Sequence, residues 1–135
     1  MVDRERVVAE FLELVQIGSV SRREAGVARR LVPALEAMGA EVHVDEAGAA
    51  VSGDSGNVFA RFAGTAPDAP PLLMSAHMDT VAPGDHVRPV VQGDVVRTDG
   101  TTVLGGDDKT GIVAILEALR VAREHRIPHG AVEVL

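Results

Sequence analysis

Two stretches decide the fold, PPLLMSAHMDTVAPGD at residues 70–85 and TTVLGGDDKTGIVAILE at residues 101–117. The first reads as an apolar strand that emits His77-Met78-Asp79 from its C-terminal end. The second reads as a glycine turn that feeds two aspartates into the start of a helix. Candidate ligands gathered at the carboxyl ends of strands are the layout of a site on an α/β sheet.

Residues two apart on an extended chain face the same way, so His77 and Asp79 can address one site. A metal-bound histidine commonly donates its other ring N–H to a carboxylate, which fixes its tautomer. Asp79 suits that partner role, or that of a ligand. By itself the pair also suits a solvated strand end. In Gly105-Gly106-Asp107-Asp108-Lys109 the glycines allow an abrupt turn, and either aspartate suits a helix cap. Two adjacent carboxylates repel, so the pair is better explained if a cation holds one of them. The Walker spacing of a phosphate loop is absent.

Working outward, Val8, Phe11, Leu12 and Val15 repeat at helical spacing behind Asp3 as N-cap, predicting a helix over about residues 4–16. Ser21-Arg22-Arg23-Glu24 has the form of a capping box. It opens a helix whose inner face is Val27, Leu31, Leu35 and Met38, with a kink or shifted boundary at Pro33. Residues 41–45 read as a half-exposed strand with Val42 and Val44 inward, residues 48–56 as a turn-rich connection, and residues 57–62 as a second strand. Leu72 to Ala76 lacks alternation, which predicts a strand covered on both faces at the centre of the sheet. Residues 87–91 and 95–98 form a hairpin. From Asp108, Ile112, Ile115, Leu116 and Leu119 make the inner stripe of the strongest helix. Residues 131–135 start a last strand. The order predicts an α/β fold, a mixed central sheet flanked by helices with at least one parallel crossover. His43, His86, His125 and His129 read as surface or structural, and Glu117 as solvated.

The composition narrows the chemistry. The 135 residues suit one domain, with 46% apolar and 24% charged residues. Three Phe, no Tyr and no Trp make stacking on bases a poor mode, and a net charge of −7 disfavours a phosphate-backbone partner. Without cysteine, any metal must take His and carboxylate ligands. No signal peptide or transmembrane span is visible in the sequence, and cytoplasm is the expected location.

The two motifs in this order resemble the dizinc exopeptidases, a family that includes peptidase T, glutamate carboxypeptidase, aminoacylase and succinyl-diaminopimelate desuccinylase. The resemblance rests on SAHMDTV (75–81) and LGGDDKTG (104–111). It is strongest to peptidase T-like members and extends through FLELVQIGSVS (11–21), GNVFARFAG (56–64), HMDTVAPGDHVRPVV (77–91), DGTTVLGGDDKTGIVAILEAL (99–119) and IPHGAVEVL (127–135).

The resemblance implies a site with two zinc ions. His77 is then a zinc ligand, Asp79 the catalytic-site residue that orients it, and Asp107 the carboxylate that bridges the ions. Asp108 and Lys109 become supports at the helix start. It further implies that residues 1–135 are the N-terminal portion of a catalytic domain, and that Leu135 falls a few positions short of a Glu-Glu pair carrying the general base and a further ligand. A lid or dimerisation domain and the C-terminal half are then absent.

The expected activity of the parent is hydrolysis of the N-terminal bond of short peptides, in a homodimer formed through the absent domain. This chain is expected to be inactive alone, and to self-associate through an open edge at residues 131–135. A deacylase or carboxypeptidase of the same superfamily and a non-catalytic truncated binding module are the alternatives.

Overall fold

Asp3 starts the first helix by accepting the Arg6 amide on its side chain at 3.0 Å, the capping expected of that position. In the computed structural model, which describes residues 1–135, this helix is α1, Arg4–Gln16. Its core-facing stripe is Val7, Phe11 and Leu14 and Val15 is fully buried, so of the positions read from spacing Phe11 and Val15 turn inward while Val8 and Leu12 stay outside the core cluster. Glu10 is buried in the same helix by its ion pairs with Arg30 and Arg120.

The second helix, α2 (Ala25–Ala37), buries Val27, Ala28, Leu31 and Leu35 and continues through Pro33. The expected capping box does not form. Glu24 occupies the cap position without a side-chain cap bond, its carboxylate accepts from the Arg22 amide, and Asp54 takes the Ala25 amide instead. The Ser21 hydroxyl points elsewhere, to Asp79.

Strand β1 (Glu41–Val44) is followed by a one-turn helix, α3 (Ala47–Ala50), inside the segment expected to be turns alone. Val42 packs on the core, but Val44 is exposed, because the strand stands at a sheet edge. Strand β2 (Val58–Phe62) alternates strictly, burying Val58, Ala60 and Phe62. Then come β3 (Leu72–Met74) and the hairpin β4 (Pro89–Gln92) and β5 (Val95–Thr98), which turns through Gly93 at φ +60. Helix α4 (Gly106–Glu124) and β6 (Val132–Val134) complete the order.

The main sheet runs β1-β2-β6-β3. Its first two pairings are antiparallel and the β6–β3 pairing is parallel, so the connection through α4 is the expected parallel crossover. One core, built on Leu14, Leu31, Leu35, Ala60, Phe62, Ile112 and Leu116, fills the space between α1, α2, α4 and one sheet face. The other face carries a cross-strand row of Glu41, Arg61, Glu133 and Leu73.

Two expectations about strands are corrected by this order. Leu72 and Leu73 are 55% and 63% exposed, so β3 is an edge strand, not a central one. Conversely β6 is interior, hydrogen-bonded on both sides, so the open edge is at β3 and not at residues 131–135. The missing alternation in Leu72-Leu73-Met74 reflects apolar residues left in the open, a pattern that sequence shares with a doubly covered strand.

Glu117 is also corrected: it is 3% exposed, not solvated. Its carboxylate accepts from Arg6 Nε at 2.7 Å, from Arg6 Nη2 at 2.9 Å and from the Asp3 amide at 2.8 Å. Glu10 is held similarly by Arg30 and Arg120, so buried charges pin α1 to α2 and α4 as pairs. No helix is long and apolar enough to cross a membrane.

Candidate metal centre

Where β3 ends, the chain carries Ser75 to Thr80 along the top of the sheet, and Thr80 bridges to Val20 in parallel. This pairing runs Thr80 N–H to Ser19 O at 2.8 Å and Ser21 N–H to Thr80 O at 3.2 Å. It fixes the backbone that bears His77 and Asp79. After the hairpin the chain returns through Gly105, whose φ of +72 and close approach to Thr80 (an added Cβ would lie 2.9 Å from Thr80 Cγ2) leave room for no side chain. That turn brings Asp107 over the strand end.

The result is a short line of polar groups. His77 Nε2 lies 3.1 Å from Asp107 Oδ1. On the other side of the ring, Nδ1 lies 3.0 Å from Asp79 Oδ1 and 3.1 Å from the Asp79 carbonyl oxygen. Asp79 Oδ2 accepts the Ser21 hydroxyl at 2.5 Å. Burial pulls the His77 pKa down, but the contacts to Asp107 and Asp79 outweigh it and hold the imidazole above its usual value. Asp107 has a side chain 95% exposed, open to an incoming ligand.

Asp107 and Asp108 divide two tasks. Asp108 Oδ1 accepts the Gly111 amide at 3.1 Å, the bond of a helix cap, and a Cβ at Gly111 would collide with that carboxylate. Asp107 and Asp108 have non-helical backbone angles, so the regular helix begins after them and its capping falls to Asp108. Lys109 is 1% exposed. Its ammonium donates to Ile17 O at 2.7 Å, and burial drops its pKa to about 8.

All three residues singled out from sequence, His77, Asp79 and Asp107, therefore meet at one place, with Asp108 and Lys109 beneath them. Ser21 was missed because Ser-x-x-Glu before an apolar run spells a helix cap. The remaining histidines lie outside: His43 stacks on Phe59 at 6.4 Å, and His129 Nδ1 contacts the carbonyl of Gly130.

His77 Nε2 and Asp107 form a donor set of the type that zinc takes, with Nδ1 already occupied. They are two donors, and no group of three or more His, Cys, Asp or Glu side chains that could hold a metal ion is assembled. Beside the site a cavity of about 750 Å³ reaches from Ser21, His77 and Asp108 inward to Leu31, Leu35 and Ile115.

No protein-family model matches the chain. The uncharacterized protein YqjE of Bacillus subtilis is 40% identical over all 135 residues, which span 36% of that protein. Among solved structures, aminopeptidase PepT from Bacillus cereus superposes with a TM-score of 0.95 at 37% identity, over 98% of this chain and 36% of that one. A tripeptidase from Staphylococcus aureus superposes with a TM-score of 0.94 at 38% identity, over 99% of this chain and 36% of that one. The chain thus spans little more than a third of the relatives it matches. Over that third, in sequence and in fold, it resembles the peptidase T-like peptidases.

Proposed function

We propose that this chain carries part of the zinc site of a peptidase that removes the N-terminal residue from short peptides, and that turnover requires residues from outside these 135. The observation that carries the reading is the meeting of His77 Nε2 and Asp107 Oδ1 at 3.1 Å, on a fold shared with an aminopeptidase and a tripeptidase.

In this reading His77 binds through Nε2 while Asp79 keeps the proton on Nδ1, so the metal-facing nitrogen presents its lone pair. Asp107 would hold metal through its exposed carboxylate, beside His77 Nε2. When bound, a pair of zinc ions supplies an activated water and a polarised scissile carbonyl. Asp108 and Lys109 hold the Asp107 turn against α1 and the helix start. A carboxylate must still move the proton from the water to the leaving amine. The buried glutamates do not serve, since Glu10 and Glu117 are both tied to arginines.

The test is a graft. This chain replaces the segment it matches in the Bacillus cereus aminopeptidase, and tripeptide hydrolysis is followed with zinc added. The graft is expected to hydrolyse the peptide and to lose that activity on His77→Ala or on chelation, while the 135-residue chain alone gives no turnover. Turnover by the chain alone, or an active graft carrying His77→Ala, would overturn the reading.

A further inference from the structure

We propose that Ser21 is a positioning residue of this site: its hydroxyl aligns Asp79, and Asp79 in turn holds His77 in the tautomer with Nε2 free for a metal. The inference rests on the metal reading above and extends it to a residue outside both sequence motifs.

Asp79 has two carboxylate oxygens, and the structure gives each a separate partner. Oδ1 faces His77 Nδ1 at 3.0 Å, and Oδ2 takes the Ser21 hydroxyl at 2.5 Å. A hydroxyl donating to an ionised carboxylate is among the stronger hydrogen bonds. Held at both oxygens, the carboxylate cannot swing about its terminal torsion. Held at Oδ1 alone, it is free to turn; the Asp79 carbonyl oxygen, 3.1 Å from Nδ1, is then set against the Asp107 carboxylate, 3.1 Å from Nε2, and a neutral imidazole shares its proton between the two nitrogens.

The hydroxyl has no competing local use. Ser21 does not cap α2, whose first amide is taken by Asp54. Its backbone amide is already bonded to Thr80 O. The segment that bears it is clamped at its other end by Lys109 on Ile17 O. Residues 17–21 thus touch both loops that carry the candidate ligands, the His77 strand end through Ser21 and the Asp107 turn through Lys109. Ser21 itself is exposed, so its hydroxyl can be removed with little effect on the core.

The experiment compares the wild-type chain with Ser21→Ala, Ser21→Thr and His77→Ala. Two readouts are taken: the His77 tautomer in the metal-free chain by ¹⁵N NMR at alkaline pH, and affinity for zinc alone by competition with a chromophoric chelator. Wild type, with two acceptor oxygens of Asp79 at Nδ1 against one of Asp107 at Nε2, is expected to favour the Nδ1–H tautomer. Ser21→Ala should give a tautomer mixture and a zinc affinity roughly 3–10-fold lower, less than the about 10–100-fold typical of losing a ligand's direct partner. Ser21→Thr, which keeps the hydroxyl, should restore both.

A Ser21→Ala chain with the wild-type tautomer overturns the proposal. So does Ser21→Thr failing to rescue a defect of Ser21→Ala. Zinc affinity that survives His77→Ala, or wild type that binds no zinc, overturns the metal reading instead, and the tautomer comparison still decides the Ser21 contact.

Discussion

His77 Nε2 and Asp107 Oδ1 lie 3.1 Å apart although 30 residues and a hairpin separate them in the chain. A contact of that length between an imidazole and an exposed carboxylate favours the protonated ring, and the His77 pKa is raised accordingly. Burial opposes the shift, and the contacts to Asp107 and Asp79 overcome it.

Zinc at Nε2 must displace this proton, because ligand and proton share one lone pair. Zinc affinity is therefore expected to hold at alkaline pH and to fall as pH drops through the raised His77 pKa, by about tenfold per pH unit below it for one displaced proton. Asp107→Asn should lower the pH at which the fall begins, since it removes a contact that raises the pKa, while also weakening binding at every pH. Zinc titrations at a series of pH values check this. An affinity independent of pH across the neutral range would exclude His77 as the ligand.

Glu10 supports the frame on which the site stands. It is buried in α1 and accepts from Arg30 of α2 and Arg120 of α4. Glu10→Ala leaves two guanidinium groups facing each other across a gap. A fully buried charge stripped of its partner costs about 3–5 kcal/mol. Both arginines keep some access to water and Arg30 also holds Glu13, so a loss of roughly 2–3 kcal/mol is expected. Urea unfolding of the variant measures it, and a loss below about 0.5 kcal/mol, the range of ordinary surface changes, would mean that the pairs only break even.

The elements with strong periodicity were legible in the sequence, and their partners were not. The inner faces of α2 and α4 followed from spacing, because a helix repeats its contacts locally. The edge position of β3 did not, since Leu72-Leu73-Met74 reads alike whether helices cover it or solvent meets it. Glu117 looked solvated because its arginine lies on α1, over a hundred residues away. The site showed the same division. His77 and Asp79 announced a shared direction by their spacing of two, while the approach of Asp107 rested on resemblance. Ser21 was hidden behind a capping pattern that the backbone does not use.

Acid should loosen the packing of α1 against α4 through Glu117. The Arg6 hydrogen bond is the chief cause of its lowered pKa; burial works against it, and the Asp3 amide reinforces it. A carboxyl whose folded pKa lies below its unfolded value contributes stability that is fully present above the unfolded pKa and is lost as pH falls through the folded one. For Glu117 the loss begins near pH 4.5 and runs downward. Glu13, lowered by Arg30, follows the same course. Glu117→Gln should be less stable than wild type at neutral pH, with the gap narrowing below pH 4.5. Thermal unfolding from neutral pH to strong acid tests this, and a gap that stays constant would show that the charge on Glu117 is not what holds Arg6.

The free edge of β3 makes self-association the expected behaviour of this chain. β3 is bonded to β6 on one side only. Its Leu72 and Leu73 are both more than half exposed, and Leu73 continues onto the sheet face that no helix covers. An unpaired strand edge offers amide and carbonyl groups to another strand, and apolar side chains there add a reason to pair. Charge at the same place opposes it, which is how edge strands in stable monomers are protected. Leu73→Lys is therefore expected to leave the fold intact, since the side chain has no core contact to lose, and to abolish association. In sedimentation experiments the wild-type mass should rise with concentration and that of Leu73→Lys should stay at one chain. If both rise alike, the contact lies elsewhere, and the exposed valines of the β4–β5 hairpin, Val91 and Val95, become the next surface to change.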